Sequence, residues 1–178
     1  MPTKIDGIDE FDTIGGSDIC AQTISMQTSI QGVQTITSQV DTVIGSIGEF
    51  SMIITPKFTG SRFLIEALWQ GEVALGWNVV FNVHRDGARI NVNSNNHWEG
   101  LSSLGSSYAY QNDSSTIDSI NINTLDTIGS SVGVPITFDI VAASNAARTM
   151  WTNRCFAGVS NASWETGVSF MRVTEYKL

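Results

Sequence analysis

"FSMIITPKFTGSRFLIEALW", residues 50–69, decides the fold. In its first run Phe50, Met52 and Ile54 point one way. In its second, Phe63, Ile65, Ala67 and Trp69 share a face, while Leu64, Glu66, Leu68 and Gln70 take the other. Side chains alternate across a β-strand, so this two-residue period marks strands laid on a core. Pro56 and Gly60 sit in the polar break between the runs and separate two strands. No catalytic device overlies the stretch. It specifies half of a β-sandwich.

Downstream, Val79, Phe81 and Val83 alternate with Val80, Asn82 and His84, and Arg85-Asp86-Gly87-Ala88 supplies a hairpin turn. Gly87 takes positive φ there without a Cβ clash. Ile90 and Val92 continue the returning strand. Residues 93–116 are rich in Ser, Asn and Gly and read as a long excursion. Strands resume at "IDSINI", at "PITFDIVAA" with Ile136, Phe138 and Ile140 on one face, and near "TMWTN". "GVSFMRVTEYKL" closes the chain, with Val168, Phe170 and Val173 expected inward. Short strands, polar turns and no amphipathic helix predict an all-β, antiparallel β-sandwich, and a jelly roll among such sandwiches.

Upstream the pattern is less decided. Met26, Ile30, Val33, Val40, Val43 and Ile47 fit a heptad seam, yet Thr, Ser, Gln and Gly fill the gaps and support helices poorly. Residues 21–48 therefore stay open between extended structure and a short helix. "VQTITSQV", residues 33–40, is the expected first strand. Residues 1–20 are acidic and broken by Gly7 and Gly15-Gly16. The division expected is an extended N-terminal arm, 1–32, and a sandwich body, 33–178.

Composition bounds the function. A chain of 178 residues suits one domain plus an arm, with a core large enough to need neither disulfide nor metal. Charged residues are 15% of the chain, below the usual quarter, and Ser, Thr, Asn and Gly take their place. Such a surface suits extracellular or virion proteins and broad contacts between copies of one chain. Five carboxylates (Asp6, Asp9, Glu10, Asp12 and Asp18) against Lys4 give the first 20 residues a net charge of −4, half the −8 of the whole. Nine Lys and Arg without a run argue against nucleic-acid binding, which needs clustered positive charge. No apolar run approaches a membrane span, and the start lacks a basic, apolar leader. The expectation is synthesis in the cytosol.

The candidate chemistry is thin. His84 is expected on an exposed face beside a hairpin, and His97 lies in the polar excursion near Glu99, so neither is expected to hold a metal. "DGIDEFD" lacks the alternating order and closing Glu of a calcium loop. Asp113, Asp118 and Asp126 have no spacing that demands an ion. Cys20 and Cys155 cannot make a four-ligand thiolate site, and a disulfide between them is left open. No Gly-x-Ser-x-Gly turn or phosphate loop is present, so neither enzymatic activity nor a cofactor is expected. Of the tryptophans, Trp69 and Trp151 are expected in the core or a subunit interface, and Trp77, Trp98 and Trp164 in or near loops. Trp98 with Tyr108 and Tyr110 makes a surface able to stack on host glycan or bury in another protein, the alternative being aromatics tucked under their own loops.

Five segments carry a resemblance. "FSMIITPKFTGSRFLIEA" resembles the S-x-x-I-T-P-K-x-x-x-S-K-I-L-I signature of small β-sandwich proteins of marine tailed phages and cyanophages, through Ser51, Ile54, Thr55, Pro56, Lys57, Ser61, Arg62, Leu64 and Ile65. Arg62 stands where Lys is usual. "VHRDGARI" matches an R-[ND]-G-T-x-I hairpin through Arg85, Asp86, Gly87 and Ile90. "NTLDTIGSS" is similar to a Y-L-D-S-P turn, with Leu125 and Asp126 in place and Ile128 at the Pro. "WTNR" and "VTEYKL" resemble the remaining strand ends. The resemblance spans residues 33–178 and implies a C1q- or TNF-like jelly roll, homotrimeric, displayed on the virion and without enzymatic activity. It leads to an expected capsid decoration or cement protein on the virion surface, its arm (Asp6, Asp9, Glu10, Phe11 and Asp12) bound to the major capsid protein or another virion protein. The alternative is a tail-fibre or tail-tip receptor-binding protein. A short arm favours decoration, since 30 extended residues reach at most about 100 Å and make little of a fibre shaft.

Overall fold

A computed structural model describes residues 19–38, 40–45, 49–74, 79–90, 105–107, 117–155 and 166–177. These form twelve strands and no helix: β1 (Ile19–Thr28), β2 (Gly32–Ile36), β3 (Thr42–Val43), β4 (Ser51–Ile54), β5 (Arg62–Val73), β6 (Val79–Arg85), β7 (Ala88–Arg89), β8 (Gly105–Ser107), β9 (Asp118–Asp126), β10 (Ile136–Ser144), β11 (Arg148–Thr152) and β12 (Ser169–Lys177). Two antiparallel sheets pack face to face as a β-sandwich.

The first sheet runs β9-β5-β12-β1. Strand β5 is long enough to take β12 along Arg62–Leu68 and then β11 along Gly71–Val73 on the same edge, with β9 on its other edge. Strand β2 extends the sheet beyond β11. The second sheet is centred on β10 and β6. Strands β4 and β3 share the outer edge of β10, and β7 and β8 share that of β6. The pairing is nested: β1 with β12, β4 with β10, β5 with β9, and β6 with β7.

The quoted stretch supplies the centre. Along β5 the residues Phe63, Ile65, Ala67 and Trp69 are buried, alternating with half-buried Leu64, Glu66, Leu68 and Gln70. Phe50, Met52 and Ile54 are also buried. Phe63 meets Phe138 at 5.4 Å between ring centroids, and Trp69 meets Phe81 at 5.1 Å, so aromatic pairs join the two sheets. The indole of Trp69 donates to Thr152 Oγ1 at 3.1 Å, which satisfies its one polar atom. Gly71 is fixed by the close approach of β11 to β5. A Cβ there would overlap the Trp151 carbonyl oxygen and lie 2.6 Å from Trp69 Cζ2.

Three expectations need correction. Residues 19–28, assigned to the arm, are β1, an edge strand paired with β12 from Ile19↔Lys177 to Thr28↔Ser169 with one irregularity at Ala21. The first strand is thus β1 and not the 33–40 segment, and residues 21–48 as far as they are described are extended. Their Thr-, Ser- and Gln-rich filling favours strands, and the heptad positions Ile30, Val33, Val40 and Val43 are exposed instead of forming a seam. In β12 the inward set is Met171, Val173 and Glu175, whereas Val168 and Phe170 face out. Phe170 and Val173 are an odd number of residues apart and cannot share a face of a regular strand.

Candidate functional site

The arm residues Asp6, Asp9, Glu10, Phe11 and Asp12, and the aromatic set Trp98, Tyr108 and Tyr110, lie outside the described residues. So do His97, Glu99, Asp113, Trp77 and Trp164. Trp69 and Trp151 are buried. Cys20 is exposed and Cys155 buried, and neither forms a disulfide. Among the described residues no group of three His, Cys, Asp or Glu side chains is placed to hold a metal ion.

His84 is not the exposed imidazole expected. Its side chain is 13% exposed and lies 2.6 Å from Asp41 Oδ2, in the connection between β2 and β3. Arg89, paired with His84 across the β6–β7 hairpin, also bonds Asp41 through Nε and, at 2.5 Å, through Nη2. Burial alone would raise the Asp41 carboxyl. Hydrogen bonds from His84 and Arg89, with the Arg89 charge, outweigh that and hold it at about 2. The same hydrogen bond to Asp41 raises Arg89. No local sequence signal joins Asp41 to the hairpin, because the contact spans 43 positions.

The segments that carry the resemblance are polar staples. Glu175 is fully buried, and its carboxylate accepts from the Lys57 amide at 2.9 Å, the Phe58 amide at 3.2 Å, Ser61 Oγ at 2.6 Å and Gln22 Nε2 at 2.6 Å. The Pro56–Ser61 loop is thereby tied to the last strand. Asp126 is buried against Arg85, whose Nη1 reaches Asp126 Oδ2 and the Ile128 carbonyl at 2.7 Å each. Asp86 Oδ1 accepts from the Thr137 amide at 2.8 Å. Asn153, with φ +58°, donates to the Thr28 and Ile30 carbonyls and accepts from Ser169 Oγ at 2.6 Å. Each staple satisfies loop groups that burial would otherwise strand.

Among the described residues, one surface open to contact with other molecules is the outer face of the first sheet. Three rungs cross it in register: Gln27–Phe170–Leu68–Asn121, Ser25–Arg172–Glu66–Asn123 and Thr23–Thr174–Leu64–Leu125. Phe170 and Leu125 are exposed, and Leu64 and Leu68 half-buried. One ion pair, Arg172 Nη2 to Glu66 Oε2 at 2.7 Å, sits in the middle rung. Beside it Ser25, Met26, Gln27, Phe170 and Arg172 line an open groove of about 490 Å³. On the outer side of the second sheet Val80, Asn82, Val141 and Ala143 are buried, while Ile53 and Val43, in the strands on its β10 edge, are exposed. The face was legible only in part, since Leu64 and Leu68 interrupt an otherwise polar alternation, while Phe170 was assigned to the wrong side. No model of a known protein family matches the chain, and no curated protein matches it.

Proposed function

We propose that the chain is a non-enzymatic structural protein of a tailed-phage virion, a trimeric capsid decoration or cement protein tied to the particle by its acidic N-terminal arm. The observation that carries the reading is the outer face of the first sheet, three flat rungs with apolar Phe170, Leu68, Leu64 and Leu125 around one compensated ion pair. A broad face that is nearly charge-neutral, with apolar side chains set among uncharged polar ones, suits burial between copies of one chain. The nested strand pairing, first with last and inward from there, supports a jelly roll as the body. The resemblance motifs support the same architecture, since each of them closes a loop of the sandwich.

Mass measurement on the purified protein tests the assembly, with a trimer expected. A Leu68→Glu, Phe170→Asp double variant, which alters only outward positions, should give a folded monomer. A wild-type monomer at micromolar concentration overturns the reading. Cryo-electron microscopy of the particle tests the location: density over the head surface is expected, and density confined to the tail tip would assign the protein to receptor binding instead.

A further inference from the structure

The end of the sandwich where β1 begins carries an unusual surface. The loops 55–61 and 127–135 are locked to each other there, Gly60 donating to the Ser130 carbonyl at 2.8 Å and Gly133 to the Pro56 carbonyl at 3.0 Å. Together they expose four large apolar side chains, Phe58, Ile128, Val132 and Val134. Lys57, Arg62 and Lys177 stand around the rim. Lys177 Nζ lies 5.0 Å over the Phe58 ring, and Lys57 Nζ donates to the Ala21 carbonyl at 3.3 Å. Arg62 is opposite Tyr176, next to Lys177. None of the three has a carboxylate partner among the described residues. The Glu175 carboxylate beneath them is fully buried and spent on four donors.

Residue Ile19, opposite Lys177, opens β1, so the first 18 residues of the chain are attached at this rim. They carry Ile5, Ile8, Phe11 and Ile14 at every third position, interleaved with Asp6, Asp9, Glu10 and Asp12. Apolar side chains flanked by carboxylates complement a partner that is itself apolar inside and cationic around the edge. We propose that this loop end is the docking surface for the chain's own acidic N-terminal segment, residues 5–14. Attachment at Ile19 keeps that segment at high local concentration and favours its own body over a neighbour's. The free protein would then hold its arm folded back, and a basic surface on a larger assembly would have to displace it. The docking itself does not depend on the virion reading.

Glutamyl endopeptidase cleavage after Glu10 in the full chain, followed by intact mass, reads arm release, because cleavage tracks the population of the open form. At low salt, where surface charge is weakly screened, cleavage of the wild type should be about fivefold or more slower than in K57E/R62E/K177E. An arm variant, D6N/D9N/D12N, leaves the body intact and should accelerate to the same degree. Unchanged melting temperatures in both show that the effect is not unfolding. Equal cleavage rates in all three proteins overturn the proposal. Protection that rises with protein concentration would overturn the same-chain assignment, placing the arm on a neighbouring copy.

Discussion

Glu175 shows how much a single residue closes in this sandwich. Its carboxylate accepts two amides of the Lys57–Phe58 turn, a serine hydroxyl and a glutamine amide, all at a fully buried position. Glu175→Gln keeps the shape but turns one acceptor oxygen into a donor facing donors. A loss of about 2–3 kcal/mol is expected, read as a lower urea midpoint with an unchanged slope. Asp41 makes a pH prediction. Its folded pKa of about 2 lies below the ordinary 3.8, so its stabilisation is complete above pH 4 and is lost as pH falls through 2. With discount for partial solvent access the contribution is about 1–2 kcal/mol. Asp41→Asn should lower stability at neutral pH by that amount and flatten the difference from wild type in acid, followed by denaturant midpoints between pH 2 and pH 7.

At the scale of elements, β1 and β5 decide what the chain tolerates. Strand β1 is paired with β12 from Ile19 to Thr28, so the body includes residues from 19 onward. A chain starting at residue 19 should melt within about 5 °C of the whole, the difference being the small stabilisation a docked arm supplies. One starting at residue 29 strips the partner of β12 and should melt lower by 10 °C or so, or fail to fold, by the usual scale of a few kcal/mol per several degrees. Strand β5 has no room at Gly71, where β11 and the Trp69 ring close in. Gly71→Ala forces backbone apart in the core and should cost about 2–4 kcal/mol, measured by chemical denaturation. A loss under 1 kcal/mol would mean that β11 does not approach β5 closely there.

For the whole molecule, the two sheet faces are unequal. The second sheet buries Val80, Asn82, Val141 and Ala143 at the centre of its outer side and exposes Ile53 and Val43 in the strands on its β10 edge, while the first leaves Phe170 and Leu125 open along its rungs. If copies associate through the first sheet, Leu68→Glu with Phe170→Asp lowers the measured mass to that of one chain without changing the far-ultraviolet circular dichroism. Retention of the oligomer would move the interface elsewhere. An association built on Phe170, Leu68, Leu64 and Leu125 with uncharged polar neighbours should also persist at high salt, since it rests little on charge.

The local pattern of the chain was enough to set its class. Alternation in residues 50–69 assigned Phe63, Ile65, Ala67 and Trp69 to the core, because strand geometry makes facing a function of parity alone. The turn at Asp86-Gly87 was equally legible, since positive φ calls for such residues. Parity fails where the strand's start is unknown, which is why Phe170 was set inward, and edge strands made of Thr, Ser and Gln carry no strong alternation, which is why β1 was taken for tail. Only the folded chain joined Glu175 to Ser61, Asp126 to Arg85 and Asp41 to His84 and Arg89. Those contacts are made between residues far apart in the chain, and their partners are chosen by sheet order and register, which no local segment encodes.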